Sequence, residues 1–152
     1  MAQEDQLKSI RLLLFNDTEL KELMAIPEND FNSIIAFRDL YCIASAGTYE
    51  NIEIDQPCRL IIFWNDMSTT NNHMVNYRPL DMEIWVQRSY EYGVTNNVFD
   101  RRQDLIAARL KKLICSSRIE HFKFQFDDMY DMRSNTQDYN RYFVRFRVKY
   151  IK

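Results

Sequence analysis

The chain closes on "RYFVRFRVKYIK" (residues 141–152), where apolar and basic side chains alternate. Tyr142, Val144, Phe146, Val148 and Tyr150 alternate with Arg141, Arg145, Arg147 and Lys149. Successive side chains of a strand point to opposite faces, so a period of two predicts a strand with an apolar wall on one side and a row of cations on the other. Phe143 is the exception on the cationic side. A row of cations suggests nucleic acid, and the rest of the sequence decides whether that suggestion survives.

Working outward, "IEHFKFQFDD" (119–128) repeats the pattern, with Phe122, Phe124 and Phe126 on one face and His121, Lys123 and Gln125 on the other. Between the two strands "DDMYDMRSNTQDYN" (127–140) is too long for a tight turn and carries Asp127, Asp128, Asp131 and Asp138, which predicts a projecting acidic hairpin tip. Upstream, "DRRQDLIAARLKKLIC" (100–115) is the strongest helix, with Asp100 as cap, Gln103 at the capping-box position and a stripe of Leu105, Ile106, Leu110, Leu113 and Ile114. Two further strands precede it. "CRLIIFWND" (58–66) is a dense apolar run, and "PLDMEIWVQRSYEY" (79–92) alternates Leu80, Met82, Ile84 and Val86 against Asp81, Glu83, Trp85 and Gln87. The polar "MSTTNNHMVNYR" between them is long for a hairpin and reads as a loop with a role beyond connection.

The first part of the chain is helical. Leu7, Ile10, Leu13 and Leu14 predict an amphipathic helix over 5–15, and "NDTELKELMAI" restarts it with Asn16 as cap, ending at Pro27. Residues 30–42, "DFNSIIAFRDLYC", suit a short helix whose tail can also be extended, and 44–57 reads as loop or edge hairpin. The order of elements predicts an α+β domain over residues 1–152, a helical part at 5–42 and a sheet-helix-sheet part at 58–152. An antiparallel sheet of about four strands carries helices on one face.

Composition bounds the function. At 152 residues the chain can build a core without staples, and Cys42, Cys58 and Cys115 are too widely spaced for a disulfide framework or zinc ribbon. The start, "MAQEDQLKSI", lacks the apolar run of a signal peptide, no segment is long and apolar enough for a membrane span, and a cytoplasmic site of synthesis is expected. Gly47 and Gly93 are the only glycines, so glycine-dependent phosphate loops cannot be written. A formal net charge of −2 offers no basic excess, which favours pairing of the terminal cations with Asp81, Glu83 and Glu120 over a nucleic-acid groove. Catalytic candidates are weak: His73 and His121 lack a partner motif, the serines lack a nucleophile elbow, and Cys115 at a helix end is disfavoured as a thiolate. Asp127, Asp128 and Asp131 could gather a divalent cation, though without EF-hand spacing, and a small intracellular enzyme or regulator with an acidic metal site stands as the alternative. No metal and no cofactor is expected. Ten Phe, nine Tyr and two Trp favour protein contacts. Trp85 interrupts the polar face of its strand, which favours partial exposure, and is either an interface anchor or edge core; Arg101 and Arg102, at the positive end of a helix, suggest an acidic partner.

With the segments 5–15, 58–66, 79–90, 100–115, 119–127 and 141–151 in this order, the chain resembles the tail terminator, or tail-to-head joining, proteins of long-tailed bacteriophages. The resemblance is architectural and covers most of the chain; no motif carries it. It implies a non-catalytic virion protein at the head-tail junction, assembled in the host cytoplasm into a homohexameric ring. Such a ring stops growth of the tail tube, contacts the tube protein and a neck or head-completion protein, and lets DNA pass without specific binding or membrane contact. The loop 67–78, with His73, Met74 and Tyr77, and the hairpin 127–140, with Met129, Tyr130 and Met132, would be assembly loops, and Trp85, Arg101 and Arg102 would lie at contacts. Residues 16–57 are longer than the family's short connection, so another neck ring is the alternative within this class.

Overall fold

A computed structural model describes residues 3–44, 56–64, 79–95, 99–119, 122–133 and 138–150. The helices α1 (Gln3–Phe15) and α2 (Thr18–Leu23) are followed by a three-residue α3 (Ile34–Ala36), which widens into a π-turn over Phe37–Tyr41. Strands β1 (Cys42–Ala44), β2 (Cys58–Trp64) and β3 (Leu80–Gln87) precede α4 (Arg102–Ser116), and β4 (Arg118–Ile119), β5 (Phe122–Met132) and β6 (Tyr139–Tyr150) complete the chain. The class is α+β, and the sheet has six strands in the order β1-β2-β3-β6-β5-β4. The expectation of about four strands is corrected by β1, which pairs parallel to β2, and by the two-residue β4; every other pairing is antiparallel. Strands this short carry no period, so only pairing reveals them.

The alternation read from the terminal stretch is the organising feature. Leu80 faces Phe146, Met82 faces Val144 and Ile84 faces Tyr142 on one side of the sheet, while Asp81 faces Arg145 and Trp85 faces Arg141 on the other. The first side meets the helices. Ile10 and Leu14 of α1, Leu20 of α2 and Ile106, Leu110 and Ile114 of α4 join Leu60, Ile62, Met82, Val144 and Phe146 in one core. Burial of each such side chain contributes roughly 1.5–3 kcal/mol.

One irregularity re-aims a strand. Phe126 pairs with Phe146 but Asp128 pairs with Arg145, so a β-bulge inserts Asp127 as an extra residue. Past it the parity reverses: Asp128 and Tyr130 turn to the charged side, and Met129 turns inward against the core. The strands also run farther than expected, β5 to Met132 and β6 from Tyr139, so much of the predicted acidic loop is strand.

The helix starts are shifted by one residue or more. Asp17, not Asn16, caps α2, its Oδ2 accepting from the Leu20 amide at 2.8 Å. The helix ends at Leu23, ahead of Pro27, in a Schellman turn: the Ala25 amide donates to Glu22 and the Ile26 amide to Lys21, with Ala25 at φ 55°. Ser33 caps α3 through Oγ. For α4 the cap position is Arg101, without a side-chain cap bond; Asp100 accepts from Thr95 Oγ1 and Gln103 donates to Glu91 Oε1. The predicted box at Asp100 therefore does not form.

Candidate functional site: the charged sheet face and an apolar groove

The side of the sheet away from the helices carries the row of cations, and its three arginines are paired internally. Arg145 holds Asp81 with two parallel bonds, Nε to Oδ1 at 2.8 Å and Nη2 to Oδ2 at 2.9 Å, and this bonding raises the Arg145 pKa. Arg141 binds Oε1 of Glu83 through Nε at 3.1 Å and also through Nη2. Arg147 pairs with Asp127 at 3.0 Å. Asp81 and Glu83 come from β3 as the alternation implied, while Glu120 and His121 lie outside the described residues.

Aromatic rings complete this face. The Arg141 guanidinium lies 4.7 Å from the Trp85 ring centre, Trp85 Nε1 donates to Glu83, and Tyr139 packs beside the indole. Arg145 sits over Phe143, the ring that broke the cationic pattern, and Tyr130 packs on the same ring with the two centres 4.8 Å apart. Asp81 is wholly buried, and Glu83, Trp85 and Phe143 are nearly so. Trp85 is therefore an interior residue, which corrects the expectation of partial exposure: its polar-side position is filled by a stacked cation and a carboxylate partner rather than by solvent.

The remaining predicted site residues divide. Arg102 is buried, its Nε donating to the Tyr90 carbonyl and its Nη1 to the Leu23 carbonyl, so it ties α4 to α2 and is not presented to an acidic partner. Arg101 bridges Asp104 and Asp131, at 2.9 and 3.0 Å, and these bonds raise its pKa. Met129 lies half-buried on the core, Met132 is half-buried near the strand end, and Tyr130 is exposed. His73, Met74 and Tyr77 lie outside the described residues.

The acidic triplet does not converge. The bulge sends Asp128 to the charged face while Asp131 lies opposite Tyr142 on the helix side, and Asp127 and Asp131 are each held by an arginine. No group of three metal-ligating side chains occurs among the described residues. Burial pushes the Cys42 and Cys58 thiols up to about 12, and raises that of Cys115 as well, so none is poised as a thiolate at neutral pH. No described helix is long and apolar enough to cross a membrane.

Several determinants had no signature in the sequence. Arg59, in the apolar run of β2, is buried, with Nε on the Leu40 carbonyl and Nη2 on Gln56. Lys21 is buried between the rings of Phe15 and Phe31, at 4.5 and 4.3 Å, and donates to the Phe31 carbonyl. Arg109 grips Asp17 with two bonds and Glu19 with a third, locking α4 to α2. A groove of about 190 Å³ lies between α1 and α3, lined by Leu12, Ile34 and Ile35 with Lys8, Arg11 and Arg38 around it. Exposed Ile34 and Ile35 at the start of a short helix were the available signal.

No protein-family model matches the chain, and no curated protein matches it.

Proposed function

We propose that this protein is a non-catalytic virion component of a long-tailed bacteriophage, forming a homo-oligomeric ring at the head-tail junction that terminates the tail tube and joins it to the neck. The observation that supports this reading is the order of elements: α1, β2, β3, α4, β5 and β6 occur in the sequence the resemblance implies, with α2, α3 and β1 inserted after the first helix and the two-residue β4 before β5. The charged face is compatible with it, because Arg141, Arg145 and Arg147 are already paired with Glu83, Asp81 and Asp127 and so offer passing DNA little grip. Exposed apolar side chains, among them Leu12, Ile34, Ile35, Tyr92, Phe99 and Tyr130, are available for contacts with other proteins. On this reading the partners are further copies of the chain, most simply six, then the tube protein on one side of the ring and a neck protein on the other.

Light scattering over a concentration series, followed by negative-stain imaging, tests the proposal. A discrete ring mass that grows in with concentration is the expected result. A strict monomer at every concentration contradicts it.

A further inference from the structure

A closed ring of identical copies needs two different surfaces on each copy that fit one another. We propose, resting on the ring reading above, that the β5 edge of one copy, through Asp128 and Tyr130, docks into the groove between α1 and α3 of the next. The groove is apolar at its base and cationic around it. Leu12, Ile34 and Ile35 are 44%, 51% and 62% exposed, an unusual degree for three adjoining aliphatic side chains. Arg11 is fixed there by two neutral acceptors, the carbonyls of Cys42 and Arg38 at 3.0 and 2.9 Å, which orient the guanidinium without cancelling its charge. Arg38 pairs with Asp39, and Lys8 is exposed beside them.

The complementary surface lies at the opposite edge of the sheet. The groove borders β1 through Arg11, whereas β5 stands beyond β6 and pairs with β4 only at Phe122 and Lys123. From Phe124 to Met132 no described strand covers its outer side. This segment carries Asp128, exposed and accepting from its own neighbour's amide, and Tyr130, 49% exposed and braced against Phe143. A rigid aromatic beside a carboxylate suits an aliphatic groove ringed by cations, and Tyr is a residue type that anchors interfaces at small entropic cost. Because the two surfaces sit at opposite sheet edges, their contact is head-to-tail. A head-to-tail contact is the kind a ring of more than two copies requires.

Lys8→Asp and Asp128→Lys test the contact, each confirmed as folded by an unchanged thermal melt. Each variant alone is expected to need about tenfold higher concentration for half-assembly than the wild type, as for charge reversal in an interface. An equimolar mixture is expected to return to the wild-type midpoint. With the two variants alternating around the ring, one contact joins the two introduced charges, still opposite in sign, and the next joins the native Lys8 to the native Asp128. Ile35→Ser probes the apolar base and is expected to weaken assembly without rescue by either variant. If the wild type assembles and both single variants assemble equally well, or the mixture shows no recovery, the docking is wrong and the ring reading stands. If the wild type never assembles, both fall.

Discussion

The two faces of the sheet are both interior over β2, β3 and β6, but by different means. On the helix side Met82, Ile84, Val144 and Phe146 meet α1 and α4 through shape alone. On the other side Asp81, Glu83 and Trp85 are as well buried, and beside a small apolar cluster of Ile61, Phe63, Trp85 and Tyr139 the contacts are directional: a forked arginine on a carboxylate, a guanidinium on a ring, an indole N–H on an oxygen. Apolar burial is non-directional and tolerates small shifts, whereas a buried carboxylate is stable only while its donors stay in place. The first face contributes apolar burial that any close packing supplies, and the second adds pairings that hold only in the correct register. A slip of one residue between β3 and β6 would break both of their ion pairs at once.

The difference can be broken at several strengths. Phe146→Ala, which empties a fully buried ring site, is expected to cost about 3–5 kcal/mol in denaturant unfolding, and no change at a single neighbour should restore it. Arg141→Met leaves Glu83 buried without its guanidinium and is expected to cost about 3 kcal/mol. Here rescue is expected: adding Glu83→Leu converts the pair to apolar residues and should recover most of the loss. Absence of recovery would mean that the pair contributes more than mutual neutralisation.

Weaker effects sharpen the account away from the sheet. Asp17→Ala removes both the α2 cap and the Arg109 clamp, with an expected cost of about 1–2 kcal/mol. The Arg109 bond holds the Asp17 carboxyl below its usual range, so its folded pKa is lower than its unfolded one. Its contribution is therefore complete above the ordinary carboxylate value of about 3.9 and is lost as pH falls through the lower folded value. Thermal melts between neutral and acid pH should show a steeper fall for the wild type than for Asp17→Asn. Smallest is Ala25→Gly, expected to stabilise by about 1 kcal/mol, because Ala25 occupies the left-handed region in the Schellman turn.

What the sequence disclosed follows the same division. Periodic features were legible: the alternation of β3 and β6, the stripe of α4, and the pairing of the cationic row with Asp81 and Glu83. Phe143 broke the pattern visibly, although its role as a platform for Arg145 and Tyr130 required the fold. Features set by long-range partners were not legible. The bulge at Asp127 appears only when β5 is laid against β6, and Arg102 reads as a surface charge until the Leu23 carbonyl, 79 positions earlier, is brought beside it. The groove needed α1 and α3 to meet, and α3 has three helical residues, too few to carry a period.

The arginines of the final strand are held by the protein's own carboxylates, which argues against a role for them in nucleic-acid binding. The direct test is the affinity for duplex DNA as a function of salt, comparing the wild type with Arg147→Gln, whose half-exposed side chain can be changed without opening the core. Weak binding whose salt slope is the same for both proteins is expected. Tight binding with a steep slope that flattens by about one unit in Arg147→Gln would contradict it.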